Sequence, residues 1–199
     1  MKKYRLELLN ESEDSQPCYE VWDEENRVIF IGKTINDTLL DLISYFLEWE
    51  REDFDLEWDE CKPIKILINS LGGDVMTVRS LVNIIEAISI PVYTVNVGNC
   101  DSAALYLYAA GDIRYSIPMG SFLIHDGYWY GEGTTEKVRS SFQFGDDLDV
   151  AMTTKLLESS KIPLSDIDNK GLRDWYFMTE EAIQYGLVDK VLYKLKEIL

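Results

Sequence analysis

Positive charge is scarce in this sequence: 19 lysines and arginines stand against 36 aspartates and glutamates, a formal net charge of −17. Binding a phosphate backbone requires clustered lysine and arginine, so this balance argues against a nucleic-acid partner. Histidine occurs once, at position 125, which leaves no histidine cluster to hold a zinc ion. The three cysteines, Cys18, Cys61 and Cys100, are odd in number and far apart. They form neither a disulfide framework nor a Cys-x-x-Cys metal pattern, and a reduced, cytoplasmic setting is the simplest expectation. No apolar run approaches the roughly 20 residues that a membrane span needs. The N-terminal MKKYRLELLNESEDS turns acidic where a signal peptide would need an apolar core, so a soluble chain with no membrane partner is expected.

What is present suits one packed domain. The chain has 199 residues, 46% of them hydrophobic and 12% aromatic, enough to fill a core. Eighteen of the acidic residues fall in the first 62 positions, which reads as a solvated acidic surface. Residues 1–26 are expected to be an acidic N-terminal extension with short strands at Tyr4–Leu9 and Cys18–Trp22, and residues 27–199 a single domain. Arg27–Gly32 (RVIFIG) has the composition of a buried strand; Asn36 then opens a helix with Leu39, Leu40, Ile43, Phe46 and Leu47 along one side. Ile64–Asn69 is a second buried strand, followed by the loop Ser70-Leu71-Gly72-Gly73-Asp74 and an amphipathic helix from Val75. The unit recurs at Pro91–Gly111, and such alternation predicts an α/β domain with parallel strands. From Thr134 to about Ser160 the pattern is helical, with Val138, Phe142, Leu148, Met152 and Leu156 forming an apolar stripe and Gly145 a possible interruption.

Val97–Ala104, VGNCDSAA, joins the apolar strand Pro91–Val97 to a buried helix. A sharp strand-to-helix turn therefore falls on Ser102. Such a turn lifts a side chain out beside free backbone N–H groups, which can stabilise an oxyanion. Ser102 and Asp101 are equally ordinary N-caps, so the turn alone does not distinguish a nucleophile from a cap. His125, Gly73 and Ser102 all fall at the carboxyl ends of predicted strands, where side chains of parallel α/β folds converge on a crevice. The Gly72-Gly73 pair is a tight turn or a backbone that a substrate can approach closely; it matches neither G-x-G-x-x-G nor G-x-x-x-x-G-K-[ST].

The set INSLGGDV (Ile68–Val75), GNCDSAA (Gly98–Ala104), FLIH (Phe122–His125) and RDWYFMTEEAIQYGLVD (Arg173–Asp189) resembles the proteolytic subunit of Clp protease, the ClpP family. RVIFIG is similar to the family's opening strand, and the likeness spans roughly residues 27–191. The resemblance implies a ClpP/crotonase-type α/β spiral of stacked strand-strand-helix units with a protruding handle helix. It implies a serine endopeptidase with Ser102 as nucleophile, His125 as general base and Asp174 as acid. Gly73 and Ala103 would supply the oxyanion N–H groups. A peptide or unfolded protein would lie as an added strand between a segment containing Gly72, Asp74, Val75 and Met76 and one containing Gly127, Tyr128 and Trp129. No metal or organic cofactor is implied. The family forms heptameric rings, single or paired face to face through the handle, and its triad aligns on assembly. ATP would enter only through a separate unfoldase, because this chain has no nucleotide loop.

Several residues depart from the family pattern. Ala103-Ala104 stand where Met-Gly is usual, and Asp126-Gly127 where Gln-Pro follows the histidine. Trp129-Tyr130 replace two glycines, and Asp101 replaces a small apolar residue just before the nucleophile. A carboxylate there is expected to disfavour the oxyanion and slow acylation unless something pairs with it. Cys100, a rival nucleophile on position alone, reads as a buried filler. Two other functions remain in view: a catalytically drifted ring subunit or scaffold, and a crotonase-like acyl-CoA enzyme sharing the spiral and its two-donor oxyanion hole.

Overall fold

The computed structural model describes residues 16–170 and 173–199, so the strand expected at Tyr4–Leu9 lies outside the described residues. Its centre is a parallel run of strands: β2 (Val28–Ile31), β3 (Ile64–Ser70), β4 (Val92–Asp101) and β5 (Ile113–Ser116). These strands are rich in Ile and Val because both of their faces are covered, as parallel sheets require. At one edge β1 (Tyr19–Asp23) runs antiparallel to β2, so part of the acidic N-terminal stretch is a strand of the same sheet.

β4 organises the site. Its first half pairs with β5, Tyr93–Asn96 against Ile113–Ser116, and its second half with β6 (Ser121–Ile124), Asn99–Asp101 against Ser121–Leu123. A strand that changes partner along its length continues past Val97, where the apolar run ends, through Gly98 to Asp101. β7 (Trp175–Met178) pairs antiparallel with β6, and β8 (Lys190–Val191) closes on β5.

Among the described residues, six α-helices accompany the sheet. A 3-10 turn over Asp37–Asp41, capped by the Asn36 side chain on the Thr38 N–H, leads into α1 (Leu42–Glu52). The buried side of this segment is Leu39, Leu42, Phe46 and Trp49, whereas Leu40 and Leu47 face outward; the 3-10 turn shifts the phase expected from a regular helix. α2 (Val75–Ala87), α3 (Ala103–Ala109), α4 (Thr135–Glu158), α5 (Leu164–Lys170) and α6 (Thr179–Gln184) follow. The main core lies between the sheet and these helices, and a smaller cluster of Val28, Leu67, Val95, Tyr115 and Leu192 covers the other face. The acidic connector after α1 is anchored by Arg27, which is 3% exposed and donates to both Asp53 carboxylate oxygens (2.6 and 2.9 Å) and to the Lys62 carbonyl.

α4 corrects the apolar stripe read from the sequence. Leu148, Met152 and Leu156 are buried in the chain's own core, while Phe142, Phe144 and Val150 point outward. Periodicity places these residues on faces of a helix but does not say which face meets the body of the domain. The helix runs unbroken through Gly145, whose position a side chain could not share, because an added Cβ would lie 2.6 Å from the Trp129 indole.

Candidate active site

Ser102 sits where β4 ends and α3 begins, with φ 54 and ψ −127. A non-glycine residue is seldom found there, and holding one costs about 1–3 kcal/mol. Two bonds fix the turn: the Ser102 N–H donates to the Leu123 carbonyl (2.9 Å), and the Ser102 carbonyl accepts from Leu105 (3.0 Å). Its side chain caps nothing. Instead Oγ lies 2.7 Å from Nε2 of His125, which follows the last residue of β6. In the tautomer a general base needs, the hydroxyl donates to that nitrogen. Because β4 and β6 are hydrogen-bonded neighbours, the strand ends carry the two side chains to each other.

The Gly72-Gly73 loop is packed on this turn. A Cβ at Gly72, whose φ is +95, would lie 2.7 Å from the Asp101 carbonyl oxygen, 2.8 Å from Ser102 Cβ and 3.0 Å from the Ala103 nitrogen. Gly73 has φ +146 and bridges to Ile35, against whose backbone a Cβ would collide. The Ile35 N–H donates to the Gly72 carbonyl (2.8 Å) and the Ile35 carbonyl accepts from Asp74 (3.0 Å), pinning the loop from both sides. Among the described residues neither the Gly73 nor the Ala103 N–H donates to another backbone carbonyl, so both remain free to meet an anion.

A cleft of about 420 Å³ runs past Ser102 and His125. Of the residues expected to bind substrate, Gly72, Val75, Gly127, Tyr128 and Trp129 line it. Asp74 and Met76 do not: the Asp74 carboxylate caps α2 by accepting from the Thr77 N–H (2.6 Å), and Met76 packs against the core. Thr34, in the loop after β2, and the helix residues Tyr106, Asp149, Thr153 and Ile167 also line the cleft; all but Tyr106 are remote in the chain from Ser102 and His125, and none carries a local signal in the sequence. Burial pushes the Asp149 carboxyl up, and a hydrogen bond from Trp129 pulls it back.

Asp174 is brought only to the neighbourhood. It precedes Trp175, the partner of Ile124, as His125 follows Ile124, so both stand at one end of the β6·β7 pair. It is exposed and, among the described residues, makes no hydrogen bond or ion pair. Asp101 is the reverse case. Only 3% exposed, it accepts a long bond from the Asn99 amide (3.4 Å), and its Oδ1 has no partner. Burial raises its carboxyl above the ordinary value, with the Asn99 amide and the charge of His125 acting in the opposite direction. Cys100 points to the core at 0% exposure; burial and the adjoining Asp101 charge push its thiol well up, so it is a poor source of thiolate.

A family model described as Clp protease matches residues 12–194.

Proposed function

Because the chain belongs to the Clp protease family, we propose that it is a serine endopeptidase working through Ser102 and His125. The observation that carries this reading is the 2.7 Å contact between Ser102 Oγ and His125 Nε2 at a strained strand-to-helix turn. A serine hydroxyl is a weak nucleophile until an imidazole takes its proton. As Oγ attacks a peptide carbonyl, Nε2 accepts the proton and the Gly73 and Ala103 N–H groups receive the developing oxyanion. The imidazolium then protonates the leaving amine, and water, activated by the same imidazole, releases the acyl group. The substrate lies extended in the cleft between the Gly72–Val75 and Gly127–Trp129 segments. Asp174, the acid the family pattern assigns, joins His125 when the assembled form draws it in.

The reading is tested by a fluorophosphonate. One label per chain is expected, lost in Ser102→Ala; an unlabelled wild-type protein would favour a drifted ring subunit, and acyl-CoA turnover without labelling would favour the crotonase reading.

The active form is a homo-oligomer, a heptameric ring or a pair of them, in a reducing cytoplasm, and a separate ATP-dependent unfoldase delivers folded substrates. Exposed Tyr128, Tyr130, Phe142 and Val150 supply apolar contact area of the kind interfaces favour. Opposing them, −17 charges on each subunit repel at low ionic strength. Assembly should therefore strengthen with salt. In sedimentation, Phe142→Asp with Val150→Asp should yield folded, inactive smaller species, whereas Leu148→Asp should unfold the chain, since Leu148 is 4% exposed. A salt-independent monomer with full activity would rule the ring out.

A further inference from the structure

Asp101 is a buried carboxylate without a counter-charge. Among the described residues no lysine or arginine pairs with it, Oδ1 has no partner, and the only bond is the 3.4 Å contact from Asn99. Such a group is costly to a fold unless something repays the lost hydration. It does not cap α3, and Cys100 beside it faces away into the core.

Its position points to what it serves. In the β4·β6 pairing Asp101 stands opposite Leu123, and His125 lies two residues after Leu123, one past the end of β6. Side chains alternate along a strand, and continuing that alternation one residue past β6 puts His125 on the face that carries Asp101. Ser102, next to Asp101, holds Nε2 of that same histidine. The groups that act on the carboxylate are the Asn99 amide on its own strand and, more weakly, His125 beyond the end of β6; Asp126 and Asp149 line the same cleft as His125, and Asp174, before β7, is exposed.

Resting on the peptidase reading for its chemical role, we propose that Asp101 is the electrostatic partner of His125, supplying the negative charge that the imidazolium meets when it takes the Ser102 proton. Neutral His125 gives the carboxylate no counter-ion. Once the Oγ–carbon bond forms and the proton moves to Nε2, a positive ring lies beside a buried, unsolvated anion. The interaction is thus stronger in the transition state than in the resting site, which is the condition for accelerating the step. Asp101 is a positioning residue acting through His125. The effect has the opposite sign to the oxyanion repulsion expected from sequence.

The chain's single histidine makes the test direct. Diethyl pyrocarbonate acylates an imidazole only in its neutral form, and the N-carbethoxyimidazole it leaves has its own ultraviolet absorbance, distinct from that of the reagent's products with amines, thiols and phenols. That absorbance in the full-length protein, followed against pH, therefore reports on His125, the chain's one histidine. Asp101→Asn, and Asp101→Ala as a second variant, should move the midpoint of that reactivity about one pH unit lower than wild type. Asp174→Asn should move it less. Fluorophosphonate labelling near neutral pH should slow by roughly ten-fold in both Asp101 variants. Coincident midpoints, or faster labelling in the variants, would overturn the proposal. The two readings fail separately: a shifted midpoint in a protein that takes no label removes the peptidase and keeps the charge coupling, whereas Ser102-dependent labelling with coincident midpoints does the reverse.

Discussion

Alanine at Ser102 or at His125 is expected to lower peptide turnover by a factor on the order of 10⁴ to 10⁶, and the double variant should be scarcely worse than either single one. The two atoms are 2.7 Å apart and act in one proton transfer. Removing the base leaves a hydroxyl that does not ionise, and removing the hydroxyl leaves a base with nothing to activate. Steady-state rates on a fluorogenic peptide, with active sites counted by labelling, give the comparison. Losses that multiply in the double variant would mean two independent functions. Stability should respond differently from activity. Ser102 holds φ 54, which alanine also resists and glycine does not. Ser102→Gly should therefore be as inactive as Ser102→Ala yet more stable by about 1 kcal/mol, read from thermal unfolding.

The parts of this site that the sequence makes legible are those fixed by neighbours in the chain. The apolar runs of β2, β3 and β4, the Asn36 cap and the turn at Ser102 follow from local composition, and the structure has each of them. The remainder depends on partners distant in sequence. β4 extends to Asp101 because β6 pairs with its second half, and no local pattern announces a strand that changes partner. The same pairing buries Asp101 and sets it opposite Leu123, two residues before His125, although in sequence it is a polar residue at a helix start. Leu148, Met152 and Leu156 are periodic whether they meet another subunit or their own sheet. Asp174 could be named only through family resemblance, since one carboxylate beside an arginine before a strand carries no chemistry in its spacing. The described residues leave it exposed.

Gly72→Ala should be nearly as damaging to turnover as loss of an oxyanion donor, about 10² to 10³-fold, with Ser102 and His125 untouched. Its added Cβ would lie 2.7 Å from the Asp101 carbonyl oxygen, 2.8 Å from Ser102 Cβ and 3.0 Å from the Ala103 nitrogen. None of these is the far end of a flexible side chain. The turn bearing the nucleophile is held by the Ser102-to-Leu123 bond inside the β4·β6 pair, so the loop must yield instead. Moving it carries the Gly73 N–H away from the serine, and a displacement of about 1 Å in a reacting geometry costs on the order of 10²-fold. The φ of +95 adds strain that alanine cannot relieve. The loss should appear in kcat and in the labelling rate, since an organophosphorus oxyanion needs the same donors. The pH at which His125 becomes reactive to diethyl pyrocarbonate should stay where it is in the wild type. Gly73→Ala is the informative contrast. Its Cβ strikes the backbone of Ile35 rather than the nucleophile, so thermal stability should fall along with rate. Gly72→Ala protein that keeps its rate within a few-fold, with unfolding unchanged, would show that this loop does not set the geometry at Ser102.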